Sequence, residues 1–226
     1  MHHELLTAST LLFGALTGVH AAPSTSSPAL ESRAAAQCWY GNAFPAESDW
    51  LSFDTLFENW RPIFKAQGDT DDELAVMKDA LKTFSDQGGF NPALTTAMMI
   101  KESQGNTCRE CGDNGVSCGV LQVRGAPKDC ENKAHPCPEN SIRTQIQCGT
   151  IGCDGAYGTN IKNCIASEGN NWGAVARCYN TGSVTNPADL RVAEWGDPKY
   201  VQFVANILLG ADYSKLDSLG GALCGF

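Results

Sequence analysis

Nine of the eleven cysteines in this chain fall between Cys108 and Cys178. That stretch is also rich in glycine and poor in long apolar runs, so cross-links must supply order where a core cannot. Paired thiols need an oxidising compartment, and each bridge is worth about 2–4 kcal/mol. Eleven is odd, so at most five bridges form and one thiol is left over. Cys38 and Cys224 stand near the two ends and are expected to tether the termini, to each other. A zinc set of Cys108, Cys111, Cys118 and Cys130 is the alternative use of these thiols; an exported chain argues against it.

Export is expected from the first residues. The run Leu11–Leu16 is too short to span a bilayer, and the small residues Val19-His20-Ala21-Ala22 offer a cleavage site. Residues 1–21 therefore read as a secretory signal, although His2, His3 and Glu4 give it no fixed positive charge. Residues 22–37 are small, polar and punctuated by proline, as in a linker or propeptide. The folded domain is expected over 38–226. No other apolar run approaches membrane length. The net charge of −9 argues against nucleic acid as a partner, because that role needs basic patches. It gives no attraction to anionic membranes or walls. A neutral or cationic polymer suits it better, and acidity alone also keeps a secreted protein soluble.

Local signals predict helices on both sides of the cysteine-rich stretch. Ser52 can cap a helix whose Phe53, Leu56, Phe57 and Trp60 share one face, with Pro62 expected to end or kink it. Thr70 followed by Glu73 is a capping-box pattern, and Gly88-Gly89 is a stop. Asn91-Pro92 opens a third helix that runs to Glu102 and is apolar nearly all round, hence buried. Over 105–165 the expectation is turns, a small β-ribbon near 118–124, and one short helix near Ser141–Gln147. Helices return at Trp172–Tyr179 and Asp197–Leu209, the last with an apolar stripe of Tyr200, Val201, Val204 and Leu208.

Glu102 is the first candidate for chemistry. A carboxyl at the end of a buried helix is partly desolvated, which favours its protonated form. Protonated and beside a glycosidic oxygen, it is a general acid worth roughly 10²–10⁴ in rate. Asp113, in the turn Gly112-Asp113-Asn114-Gly115, offers a second carboxylate for the same cleft. The string Gly115-Val116-Ser117-Cys118-Gly119 matches a serine-esterase elbow in letters. No apolar strand precedes it, and the mature chain holds one histidine, His135.

Glu102-Ser103, then Gly112-Asp113-x-Gly115-x-x-x-Gly119-x-x-Gln122-Val123, and later Tyr179-Asn180-x-Gly182, resemble the goose-type lysozymes and, in part, the soluble lytic transglycosylases. The resemblance covers residues 97–123 and 176–182. It implies an α+β, mainly α, lysozyme-like fold, disulfide-rich here, with a small β-ribbon beside the active-site cleft. It implies Glu102 as catalytic acid and Asp113 as the carboxylate that holds the attacking water. Ser103, Gly119, Gln122, Tyr179 and Asn180 would line the sugar groove, with no metal and no cofactor. The implied substrate is peptidoglycan, cut between N-acetylmuramic acid and N-acetylglucosamine, by a secreted monomer with no nucleic-acid or membrane partner. Chitin hydrolysis, lytic transglycosylation, and glycan binding without cleavage are the alternatives. One departure stands out: goose-type enzymes commonly carry a second aspartate after the Gly-x-x-Gln-Val element, and Arg124 holds that place here. If Asp113 serves as base, its carboxyl should stand about 6.5–9.5 Å from that of Glu102, and the anomeric centre should invert.

Overall fold

Ser52 begins the ordered helical part as its sequence context suggests: its hydroxyl accepts the Thr55 amide at 3.1 Å and starts α1, Phe53–Ala66. The computed structural model describes residues 35–211 and Cys224. The expected signal segment and most of the expected linker lie outside the described residues. Helix α1 does not stop at Pro62. Proline removes the amide that would bond the Glu58 carbonyl, at a cost of about 3 kcal/mol. Burial of Leu56, Phe57 and Trp60 before it and Phe64 after it offsets that loss, at about 1.5–3 kcal/mol per large side chain.

Helix α2, Asp71–Gly88, opens with the predicted capping box and closes on Gly89 in the left-handed region. Helix α3, Pro92–Ser103, begins with Asn91 capping the Ala93 amide and proline in the first turn. Its side chains from Ala93 through Ile100 are all buried. This is the central helix. It packs against α1 and α2 on one side and against α8, Tyr200–Leu208, on the other.

The cysteine-rich stretch contains a single left-handed turn, α4 (Gly112–Gly115), and a ribbon of β1 (Ser117–Cys118) and β2 (Val123–Arg124). The strands are antiparallel, with Ser117 opposite Arg124 and Cys118 opposite Val123. The helix expected near Ser141–Gln147 is longer, α5 at Glu139–Thr150, because its inner face of Ile142 and Ile146 packs on α2. A further helix, α6 at Ile161–Glu168, was not foreseen. Asn160 caps it, and Cys164 ties it to α7, Trp172–Thr181. Among the described residues no helix is long and apolar enough to cross a membrane.

Five disulfides use ten of the cysteines. Cys38 and Cys224 pair as expected, across 186 residues. The other bridges are local: Cys111–Cys118, Cys130–Cys137, Cys148–Cys153 and Cys164–Cys178. The zinc set drawn from Cys108, Cys111, Cys118 and Cys130 is therefore overturned, since three of its four thiols are consumed in bridges. Cys108 is free and buried.

Candidate active site

Helix α3 delivers Glu102 in its last turn, one residue before its buried end at Ser103. The residue is half-buried and lines the cleft. Burial pushes its pKa up from 4.5 to about 7. The Tyr200 hydroxyl and the Lys101 ammonium hold it back, while the charges of Asp113 and Asp197 push it further up. Lys101 is itself fixed by Asp197 at 2.8 Å and lies 4.4 Å from the centre of the Phe203 ring. The buried Tyr200 hydroxyl has no partner in good hydrogen-bond geometry.

Glu102 opens into a cleft of about 250 Å³ whose wall also includes Asp113, Ser117, Gln122, Arg124, Tyr157 and Tyr179. Asp113 and Asn114 both adopt left-handed backbone angles, which short polar side chains tolerate best. The Ser117 hydroxyl donates to Asp113 Oδ2 at 2.7 Å, so one carboxylate oxygen is anchored. Gln122 braces the same turn from below. Its Oε1 accepts the Gly112 amide at 2.9 Å, and its Nε2 donates to the carbonyls of Gly119 and Glu110.

The opposite wall is α7. Tyr179 is buried, and its hydroxyl donates to the Leu121 carbonyl at 2.6 Å, which ties α7 to the ribbon. Beneath it lies Arg177, with no solvent exposure. Its guanidinium donates to the carbonyls of Leu190, Asp197 and Pro198 and to Asn180 Oδ1. A buried cation with four of its five donors engaged clamps α7 to the segments at Leu190 and at Asp197–Pro198.

The residues expected to share a cleft separate into two groups. Glu102, Asp113, Gln122 and Tyr179 all line it. Ser103, Gly119 and Asn180 do not. The Ser103 hydroxyl donates to the Met99 carbonyl and accepts the Gly105 amide, closing the helix end. Gly119 is buried with φ near +77°, and a Cβ there would stand 2.7 Å from the Gln145 side chain. It serves close packing, not approach to a sugar. Asn180 spends its carbonyl on Arg177 and the Asp197 amide.

Sequence reasoning missed Tyr157, Thr159 and Thr181 on the cleft wall, and Gln145 behind it. Tyr157 is 70 % exposed and is held by its amide to the Arg124 carbonyl. An aromatic inside the Gly155–Gly158 loop was the available signal. Gln145 accepts the Val120 amide and donates to the Thr107 carbonyl. No ion pair joins Arg124 to an acid among the described residues.

The serine-esterase pattern finds no support in the geometry. Ser117 donates to Asp113, Cys118 is bridged, and His135 is engaged by Glu73. Among the described residues the cleft gathers no set of three metal-ligating side chains. No family model, no curated protein and no solved structure matches the chain. Chemically, the cleft pairs an acid that holds its proton near neutrality with an exposed, anchored carboxylate.

Proposed function

We propose that this chain is a secreted muramidase of lysozyme-like fold, hydrolysing the β-1,4 bond between N-acetylmuramic acid and N-acetylglucosamine in peptidoglycan. The observation that carries the reading is the Glu102 carboxyl, raised to about 7 in a cleft that it shares with Asp113. Glycoside hydrolysis needs this pairing of two unlike carboxyl groups. Glu102 gives its proton to the bridging oxygen as the bond breaks. Asp113, with Oδ2 held by Ser117, uses its other oxygen to orient and deprotonate the water that attacks the anomeric carbon. Tyr157 supplies an exposed ring on which a sugar face can stack.

Arg124 favours peptidoglycan over chitin. It is an exposed guanidinium on the cleft wall, and muramic acid carries a lactyl carboxylate that chitin lacks. Its charge is locally opposite to the acidic balance of the whole chain. The resemblance in Glu102-Ser103, Gly112-Asp113, Gln122 and Tyr179-Asn180 agrees with this assignment of the reaction.

The test is mass spectrometry of the products from purified peptidoglycan and from chito-oligosaccharides, with wild type and Glu102→Gln. Hydrolysed muramic-acid ends from wild type, and a loss of roughly 10²–10⁴ in the variant, are expected. Anhydro products alone would replace hydrolysis by transglycosylation. Binding of glycan without cleavage would reduce the protein to a lectin-like role.

A further inference from the structure

A second constellation lies outside the cleft, where the start of α2 meets the loop after α3. Glu73 is the third residue of α2, Cys108 follows the end of α3 by five residues, and His135 lies within the loop closed by the Cys130–Cys137 bridge. One donor atom from each lies within 4.8 Å of the other two. His135 Nδ1 is 2.9 Å from Glu73 Oε1 and 3.9 Å from Cys108 Sγ. Asp69 stands beside them, with Oδ1 at 3.6 Å from the same nitrogen. Asp69 is 1 % exposed, and its Oδ2 has no hydrogen-bond partner.

We propose that Glu73, Cys108 and His135 bind one zinc ion, with Asp69 positioned to complete or brace the site. Thiolate, carboxylate and imidazole are ligands that zinc accepts together. Tetrahedral bonds of about 2.0–2.3 Å place neighbouring donor atoms about 3.3–3.6 Å apart. The separations from His135 Nδ1 to Glu73 and to Cys108 bracket that range, and the Glu73 and Cys108 donor atoms lie within 4.8 Å of each other, so the site closes by side-chain adjustment. The direction of the contacts excludes the main alternative. A thiol–imidazole–carboxylate relay uses the two ring nitrogens separately. Here thiol and carboxylate converge on one nitrogen, as ligands do around a common centre.

Binding requires the Cys108 thiol to lose its proton and the His135 ring proton to sit on Nε2, leaving Nδ1 free for the metal. His135 is partly exposed, and its exposed edge opens the cluster to solvent. Five bridges consume the other thiols, so Cys108 is kept reduced in a chain built for oxidation. Metal ligation gives that exception a chemical reason. The ion would pin the loop that leads from Glu102 to Asp113 onto α2, and the site is independent of the proposed sugar chemistry.

The test uses the oxidised protein, with its bridges intact, loaded with Zn²⁺ or Co²⁺ and freed of excess by dialysis. One zinc per chain by elemental analysis is expected, with a near-ultraviolet thiolate-to-cobalt charge-transfer band for Co²⁺. Zinc should also slow alkylation of Cys108 by at least tenfold. Cys108→Ser and His135→Gln should each abolish the cobalt band, while Glu102→Gln should keep it. A wild-type protein without the band, or a Cys108→Ser variant with unchanged metal content, would overturn the proposal. The wild-type spectrum and alkylation rate decide the matter even if a variant fails to fold.

Discussion

Replacing Glu102 by glutamine should make the protein more stable in alkali, by an amount the site itself sets. A glutamate lifted from 4.5 to about 7 on folding binds its proton more tightly in the native state. Between these two values the native chain carries more protons than the unfolded one, so stability falls as pH rises. Below pH 4 the carboxyl is neutral in both states and costs nothing. Above pH 8 it is charged in both, and the whole penalty is present. At about 1.4 kcal/mol per tenfold change in proton affinity, that penalty is about 3 kcal/mol. Glutamine is nearly isosteric and stays neutral, so it escapes the penalty. Urea unfolding of wild type and Glu102→Gln at pH 4 and pH 8 measures it, because titrations remote from the site cancel in the difference. The stability gap, variant minus wild type, should grow by about 3 kcal/mol from the lower to the higher pH. A gap that does not change with pH would mean that Glu102 sits in ordinary solvent, and the proposed acid would be lost with it.

Arg177→Met should cost about 3–5 kcal/mol in urea unfolding, since the carbonyls of Leu190, Asp197 and Pro198 lose a buried donor; a cost below about 1 kcal/mol would show the clamp to be idle. Cys38→Ser with Cys224→Ser opens a loop closed across 186 residues and should lower stability by about 5 kcal/mol on the chain-entropy model, read as a drop in the urea midpoint. Tyr179→Phe leaves the Leu121 carbonyl without its 2.6 Å donor and should cost about 1–2 kcal/mol in urea unfolding; an unchanged midpoint would refute it. Arg124→Ala should reduce kcat/KM on peptidoglycan about tenfold, the worth of one charge-assisted contact, and leave chito-oligosaccharide cleavage unchanged; equal effects on both polymers would remove the carboxylate from the argument.

The helical frame was legible because its signals are local. Thr70 with Glu73, Asn91 with Pro92 and the Phe53–Trp60 face each act within one or two turns, and each reappears in the structure. The Cys38–Cys224 bridge was legible from position alone. Pro62 misled because its cost is local while the packing that offsets it is tertiary. Helix α6 was hidden by its short length and by cysteine texture that reads as loop. Site geometry was harder still. A motif gives the order of Ser103, Gly119 and Asn180 but not what surrounds them: the Ser103 and Asn180 side chains turn inward to close a helix and to meet Arg177, and Gly119 leaves the space that Gln145 fills. Gln145 and Arg177 escaped notice because such residues are usually solvated; here they are buried and satisfy carbonyls and amides far away in sequence.

The most direct test is the pH dependence of kcat/KM on a soluble peptidoglycan fragment, for wild type and Glu102→Gln. If Glu102 hands over its proton, wild-type kcat/KM falls tenfold per pH unit above about 7, and the residual activity of the variant lacks that limb. Wild-type activity that stays level from pH 6 to pH 9, or a variant that shares the same descending limb, would contradict the assignment of Glu102 as the acid.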